Sequence, residues 1–176
     1  MCLCLGPAKS GKTLLMKRLH GDEIDETTNT VATNGTNLFA IKHEDETGRG
    51  REIIVRELGG SMAPIWKHYF DGVREIIYVV DASNLCQISA AGVLLYSLLV
   101  EPLLGAARIA LVLSKMDLSY RQMRNEALLM LHFARLQREI EQSITVLEVS
   151  GMTGQGVEKL REWLFASSRP PRPLKS

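Results

Sequence analysis

The segment Gly6-Pro7-Ala8-Lys9-Ser10-Gly11-Lys12-Thr13 constrains this chain more than any other stretch, because its spacing, G-x-x-x-x-G-K-T, is a complete phosphate-binding loop. In such a loop small residues let consecutive backbone N–H groups point inward at phosphates, while a helix N-terminus adds partial positive charge from below. The Lys12 ammonium suits the β- and γ-phosphates, and the Thr13 hydroxyl suits the Mg²⁺ that accompanies them. Lys9, inside the loop, reads either as a further phosphate contact or as a solvent-facing residue. The flanks agree with the motif. Met1 to Leu5 is an apolar run fit for a buried strand, and Leu14 to Leu19 continues with helical spacing. The pattern implies a nucleoside triphosphate held with Mg²⁺.

Length and charge narrow the rest. A chain of 176 residues fits a single domain, expected over 1–168, with the proline-containing tail 169–176 disordered. Against 20 Asp and Glu stand 21 Lys and Arg, a net charge of +1, so no nucleic-acid partner is expected. The three cysteines, Cys2, Cys4 and Cys86, make neither a disulfide framework nor a metal spacing, which suits a reducing cytosol. No long uncharged apolar stretch is present, and the binding loop begins too early for a signal peptide, so a soluble, cytoplasmic protein is expected.

Apolar runs alternate with helical patterns, the rhythm of an α/β fold with a mainly parallel sheet and helices on both faces. Six strands are predicted: Met1 to Leu5, Asn37 to Lys42, Glu52 to Leu58, Glu75 to Val80, Arg108 to Leu113 and Thr145 to Val149. The link Glu44 to Gly50 is too short for a crossover helix, so the second and third strands should form a hairpin with one strand antiparallel. Helices are predicted over Leu14 to His20, Met62 to Phe70, Gln87 to Leu104, Tyr120 to Gln142 and Gly156 to Ser167. Leu128, Leu129, Leu131, Phe133 and Leu136 read as the packing face of the fourth of these. Gly21 to Asn34 is polar and threonine-rich and reads as a mobile loop.

Further pieces of a guanine-nucleotide site follow the ends of later strands, where open α/β sheets bind their ligands. After the third strand, Glu57 can support the Mg²⁺ shell and the Gly60 amide can meet a γ-phosphate. After the fifth comes Ser114-Lys115-Met116-Asp117. The Asp117 carboxylate can accept from the N1–H and 2-amino groups that guanine has and adenine lacks, with the Lys115 stem along the base. After the sixth, the backbone of Ser150 and Gly151 can reach the guanine O6.

With these residues in view, the chain resembles an Arf-family small GTPase over nearly its whole length. Glu57-Leu58-Gly59-Gly60 followed by Pro64-Ile65-Trp66-Lys67-His68-Tyr69-Phe70 is similar to the family pattern D-V-G-G-Q then P-L-W-R-H-Y-F. Ala32-Thr33-Asn34-Gly35-Thr36-Asn37 resembles the first switch, P-T-I-G-F-N, which makes Thr33 a candidate Mg²⁺ hydroxyl beside Thr13 and Glu57. The resemblance implies the P-loop small-GTPase fold, GTP/GDP and Mg²⁺ as ligands, and a monomer acting as a switch, with intracellular or ciliary trafficking as its setting. It also implies effector, exchange-factor and activating proteins that meet the switch regions, including Trp66 and Tyr69.

Three departures modify those expectations. Glu57 stands at the usual aspartate, Ser61 at the water-orienting glutamine and Ser114 at the asparagine of N-K-x-D. Ser61 lacks the reach of a glutamine carboxamide, so intrinsic hydrolysis should be slow and no catalytic residue is assigned. Loss of the asparagine amide at Ser114 should remove a tie between base loop and phosphate loop. Cys2 occupies the family's myristoylated glycine position, so no direct membrane anchor is expected. A module that holds GTP constantly and never cycles remains the alternative reading.

Overall fold

In the computed structural model the described residues are 1–28, 30–44, 48–119, 121–140 and 142–166. Six strands, β1 (Cys2–Leu5), β2 (Thr36–Glu44), β3 (Gly50–Leu58), β4 (Glu75–Asp81), β5 (Arg108–Ser114) and β6 (Ile144–Glu148), form one sheet in the order β2-β3-β1-β4-β5-β6. Only the β2–β3 pair is antiparallel, in register from Thr36 opposite Leu58 to Glu44 opposite Gly50. The expected hairpin, the mainly parallel sheet and all six strands are therefore present, with ends shifted by a residue or two. The tail 169–176 lies outside the described residues.

Side-chain alternation at period two builds two cores from the same strands. Leu3 and Leu5 of β1, Ile76, Tyr78 and Val80 of β4, and Ile109, Leu111 and Leu113 of β5 enter one core. Cys2, Cys4, Ile77, Val79, Ala110 and Val112 enter the other. Central strands apolar on both sides need helices on both faces. On the second face lie α1 (Lys12–His20) and α5 (Val157–Ala166). On the first lie α2 (Leu85–Leu99), α3 (Arg121–Met130) and α4 (Phe133–Glu139). Arg161 of α5 donates to Leu19 O at the end of α1 and to Lys42 O of β2, which fastens helix terminus and hairpin together.

The helices correct the sequence reading in three places. The helix expected over Gln87 to Leu104 stops at Leu99, because Pro102 cannot continue it. One 3-10 turn, Pro102–Leu104, follows. The segment expected as a helix over Met62 to Phe70 is a 3-10 helix, Gly60–Tyr69, with Pro64 inside it. The long helix expected over Tyr120 to Gln142 is broken into α3 and α4 at His132, whose φ of 51° is left-handed. Leu131 and Leu136 explain the break. Both are buried in one core, yet residues five apart on an unbroken helix point about 140° away from each other. Turning the chain at His132 lets both face inward and leaves Leu129, an expected core residue, 76% exposed.

Cys2 and Cys4 are fully buried in β1, and burial pushes both thiols well above their ordinary titration range, whereas Cys86 on α2 is exposed. Alkylation of the folded protein followed by mass analysis should therefore label Cys86 and spare Cys2 and Cys4 until denaturant is added. Rapid labelling of either β1 cysteine would show that this strand is open to solvent.

Candidate functional site

The loop between β1 and α1 places Lys12 at the first turn of the helix with only 5% of its surface exposed. Its ammonium donates to Gly6 O at 3.0 Å and Pro7 O at 2.7 Å. Burial pulls its pKa below the usual value, partly offset by the nearby Cys4 and Glu57. Lys12 is thus a desolvated cation satisfied for the present by loop carbonyls. A cleft of about 340 Å³ opens beside it, with Lys9, Thr13, Thr33, Glu57, Gly60 and Lys115 in its walls.

One corner of this cleft gathers oxygens from three remote segments. Thr13 Oγ1 donates to Glu57 Oε1 at 2.6 Å and lies 3.0 Å from Thr33 Oγ1. The other Glu57 oxygen accepts from Asn37 Nδ2 at 3.0 Å, and the residue is completely buried. The extra methylene of glutamate therefore carries its carboxylate up to the threonine hydroxyl. Among the described residues no group of three or more His, Cys, Asp or Glu could hold a metal. Two hydroxyls and one carboxylate instead form a hard oxygen set that fits Mg²⁺, an ion that takes few protein ligands and completes its shell with water and substrate phosphates.

The two segments facing the loop are pressed against it. Gly59 N donates to Gly35 O at 3.0 Å, and a Cβ on Gly59 would lie 2.1 Å from Thr33 O. A Cβ on Gly60 would lie 2.2 Å from Ala8 N. Backbone approaches this close exclude any side chain, which is why two successive glycines follow β3.

A second cluster forms where β5 and β6 end. Lys115, left-handed at φ 57°, pairs with Asp81 Oδ2 at 2.6 Å, while the other Asp81 oxygen accepts from Ser83. Asp117 Oδ1 accepts from Ser150 Oγ at 2.6 Å, and Ser150 Oγ accepts from Thr153 N at 3.1 Å. The Arg18 guanidinium of α1 donates to Gly151 O and Met152 O. Asp117, Ser150 and Gly151 do not line the phosphate-side cleft; Lys115 connects the two clusters.

Residues 1–168 match the model of the ADP-ribosylation factor family. The chain belongs to that family. It is 36% identical over 177 residues to human ADP-ribosylation factor-like protein 16, covering 96% of this chain and 86% of the relative. To ADP-ribosylation factor-like protein 2 of Drosophila melanogaster it is 29% identical over 166 residues, covering 93% and 84%. Its fold is similar to the Arl6 BBS3 small GTPase of Trypanosoma brucei, solved with the nucleotide analogue GppNp, at TM-score 0.75, 22% identity and coverage of 94% and 95%. The mammalian SRP receptor shows the same fold at TM-score 0.73, 18% identity and coverage of 93% and 97%. Arf-family membership makes the chain a guanine-nucleotide-binding regulatory switch of the Arf-like class.

Within this Arf-family site two expectations need correction. Trp66, expected to present aromatic surface to partners, is only 2% exposed, and its indole N–H donates to Gly59 O at 3.1 Å. It is an internal strut beneath the second switch. Tyr69 is half-buried with the Arg56 guanidinium 5.7 Å from its ring centre, and the outward residues of the segment are Ser61, Pro64, Ile65, Lys67 and His68. The second correction concerns Ser114. The tie thought lost with the asparagine is remade by its hydroxyl, which sits 2.5 Å from Ser10 O and 3.1 Å from Val80 O. A small side chain suffices because β5 already runs close under the loop.

Asn37, Asp81 and Arg18 were missed by sequence reasoning. Asp81 was accessible in principle, since it ends β4 directly opposite Ser114 and the carboxyl-end rule applies there too. Nothing local marks Arg18, whose partners are more than a hundred positions away.

Ser114→Ala should strand a buried carbonyl and cost about 1–2 kcal/mol of stability, together with nucleotide affinity. Denaturant unfolding and GDP titration beside the exposed-site control Ser97→Ala check this, and identical midpoints for Ser114→Ala and wild type would refute it.

Proposed function

We propose that this Arf-family chain switches between partner-binding states according to the phosphate content of its guanine nucleotide, and that it hydrolyses GTP slowly by itself. The observation that carries the reading is the meeting of Thr13, Thr33 and Glu57, one residue each from the phosphate loop, first switch and second switch. Thr13, Thr33 and Glu57 would share a bound Mg²⁺–triphosphate as their common ligand, and its loss would free the three segments from one another.

Gly6, Pro7, Ala8, Ser10, Gly11, Lys12 and Thr13 would hold the phosphates, with Gly60 N–H at the switch side. Lys115, Asp117, Ser150 and Gly151 would hold the guanine, with Ser114 bracing the loop. Thr13, Thr33 and Glu57 would hold Mg²⁺. The buried Lys12 ammonium, already desolvated, can exchange its carbonyl partners for phosphate oxygens and so regain a full counter-charge. Ser61 is exposed at the rim of the cleft and too short to orient a water there. Effectors, exchange factors and activating proteins would read Ile65, Lys67, His68 and Tyr69, the outward part of the second switch, while Trp66 holds it from within. Family resemblance suggests work in intracellular or ciliary trafficking, in the cytoplasm and by recruitment to membranes through partners. A non-cycling GTP-bound module is the second reading, favoured specifically by Ser61.

Base recognition is tested by Asp117→Asn. The amide offers a donor where guanine needs an acceptor, so affinity should shift from GDP toward XDP by about tenfold or more, as for a lost charged hydrogen bond. Equal GDP binding by variant and wild type would reject Asp117 as the base reader.

Turnover is tested by single-turnover hydrolysis. P-loop GTPases with an intact glutamine manage only about 10⁻⁴ s⁻¹ unaided, and the wild type should be no faster. Ser61→Gln should accelerate it. Turnover by the wild type at partner-stimulated speed would contradict this reading, and the absence of any hydrolysis, with GTP co-purifying, would favour the non-cycling module.

A further inference from the structure

We infer that Lys9 is a specificity residue, a cation held ready for the terminal phosphate that makes this site prefer guanosine triphosphate to diphosphate. The inference rests on the guanine-nucleotide reading above and adds to it a role for one side chain. Three cationic side chains line the cleft: Lys9, Lys12 and Lys115. Two of them are engaged. Lys12 is buried against Gly6 O and Pro7 O, and Lys115 is paired with Asp81. Lys9 is exposed and makes no hydrogen bond or ion pair among the described residues. The one acid in the same wall, Glu57, is occupied by Thr13 and Asn37. Of the three ammonium groups, Lys9 is thus the one with no partner among the described residues.

Backbone geometry shows that a lysine is not the easy choice here. Lys9 has φ 63°, one of three non-glycine residues with left-handed backbone among those described, and glycine or asparagine takes that conformation at lower cost. Strain retained at a ligand-facing loop points to a use for the side chain. The left-handed turn also lifts Lys9 outward at the rim, whereas Ser10 and Lys12 turn beneath the loop and are buried.

Its place in the cleft selects the phosphate. The second-switch end of the loop is Pro7–Ala8, against which the Gly60 backbone sits, and Lys9 follows directly in the cleft wall that Gly60 and Ser61 also line. A triphosphate brings additional negative oxygens to that end, and a diphosphate does not. An ammonium on a flexible four-carbon stem can fold onto them in a charge-assisted pair. An ordinary solvent-facing lysine would discriminate between neither nucleotide.

The test compares wild type with Lys9→Ala, Lys9→Arg and Lys9→Asn, using titration with a fluorescent non-hydrolysable GTP analogue and with fluorescent GDP. Melting without nucleotide is the control. Asn suits the left-handed backbone, so Lys9→Asn should melt no lower than wild type. Lys9→Ala and Lys9→Asn should bind the GTP analogue about tenfold more weakly and GDP within about twofold of wild type, while Lys9→Arg stays within about threefold for both. Unchanged binding of both nucleotides, or equal weakening of both, would overturn the inference. A wild type that binds neither nucleotide would instead bring down the guanine-nucleotide reading itself, a result distinct from failure of Lys9 alone.

Discussion

The short contact between Thr13 and Glu57 is the point on which the rest of the site depends. It joins the first turn of α1 to the end of β3, and Thr33 meets the same hydroxyl from a loop that has no regular structure of its own. A completely buried carboxylate is costly unless its oxygens are satisfied, and here one hydroxyl and one amide satisfy them. Removing the Thr13 hydroxyl or the Asn37 amide would leave one oxygen of that buried carboxylate without its partner. Closure of the two switches on the loop is thereby coupled to the electrostatics of a single acid.

Glycine at positions 59 and 60 makes such closure physically available. Both residues touch backbone rather than side chain, at Thr33 and Ala8 respectively, so the switches dock by main-chain contact, in which no rotamer can adapt. Trp66 supports the arrangement from below by donating to Gly59 O. A large aromatic so placed makes the second switch stiff at its base and leaves the outward residues free to differ. The outward face of the second switch is accordingly built from Ile65, Lys67 and His68 around a half-buried Tyr69, and its chemistry is more basic than an aromatic patch would be.

The base side shows how a chain can depart from a family pattern without losing its tertiary ties. Serine replaces asparagine at position 114, yet the hydroxyl spans the same gap from β5 to the phosphate loop. Arg18 adds a clamp from α1 to the backbone of Gly151 and Met152, and Asp81 holds Lys115. These short polar links are buried or half-buried, where an unmade hydrogen bond is expensive, so each fixes the loop more firmly than its small size suggests.

The sequence by itself determined the phosphate loop, the strands and the class of ligand, because each is a local property. Eight consecutive residues carry the amide array, the lysine and the hydroxyl, and period-two alternation in β1, β4 and β5 states which side chains enter which core. The glycine pair and Asp117, the candidate base reader, stood out for the same reason, as short patterns after predicted strands. Tertiary structure decided the break at His132, the inward Trp66, the Ser114–Ser10 tie and the Arg18 clamp. Each depends on what lies across a gap of many positions, as with Ser10 and Ser114, 104 residues apart, and local spacing holds no information about such a partner. Whether a leucine, a tryptophan or a serine points into the protein is settled by the surface that folding brings against it, and that surface exists only once the sheet has been assembled.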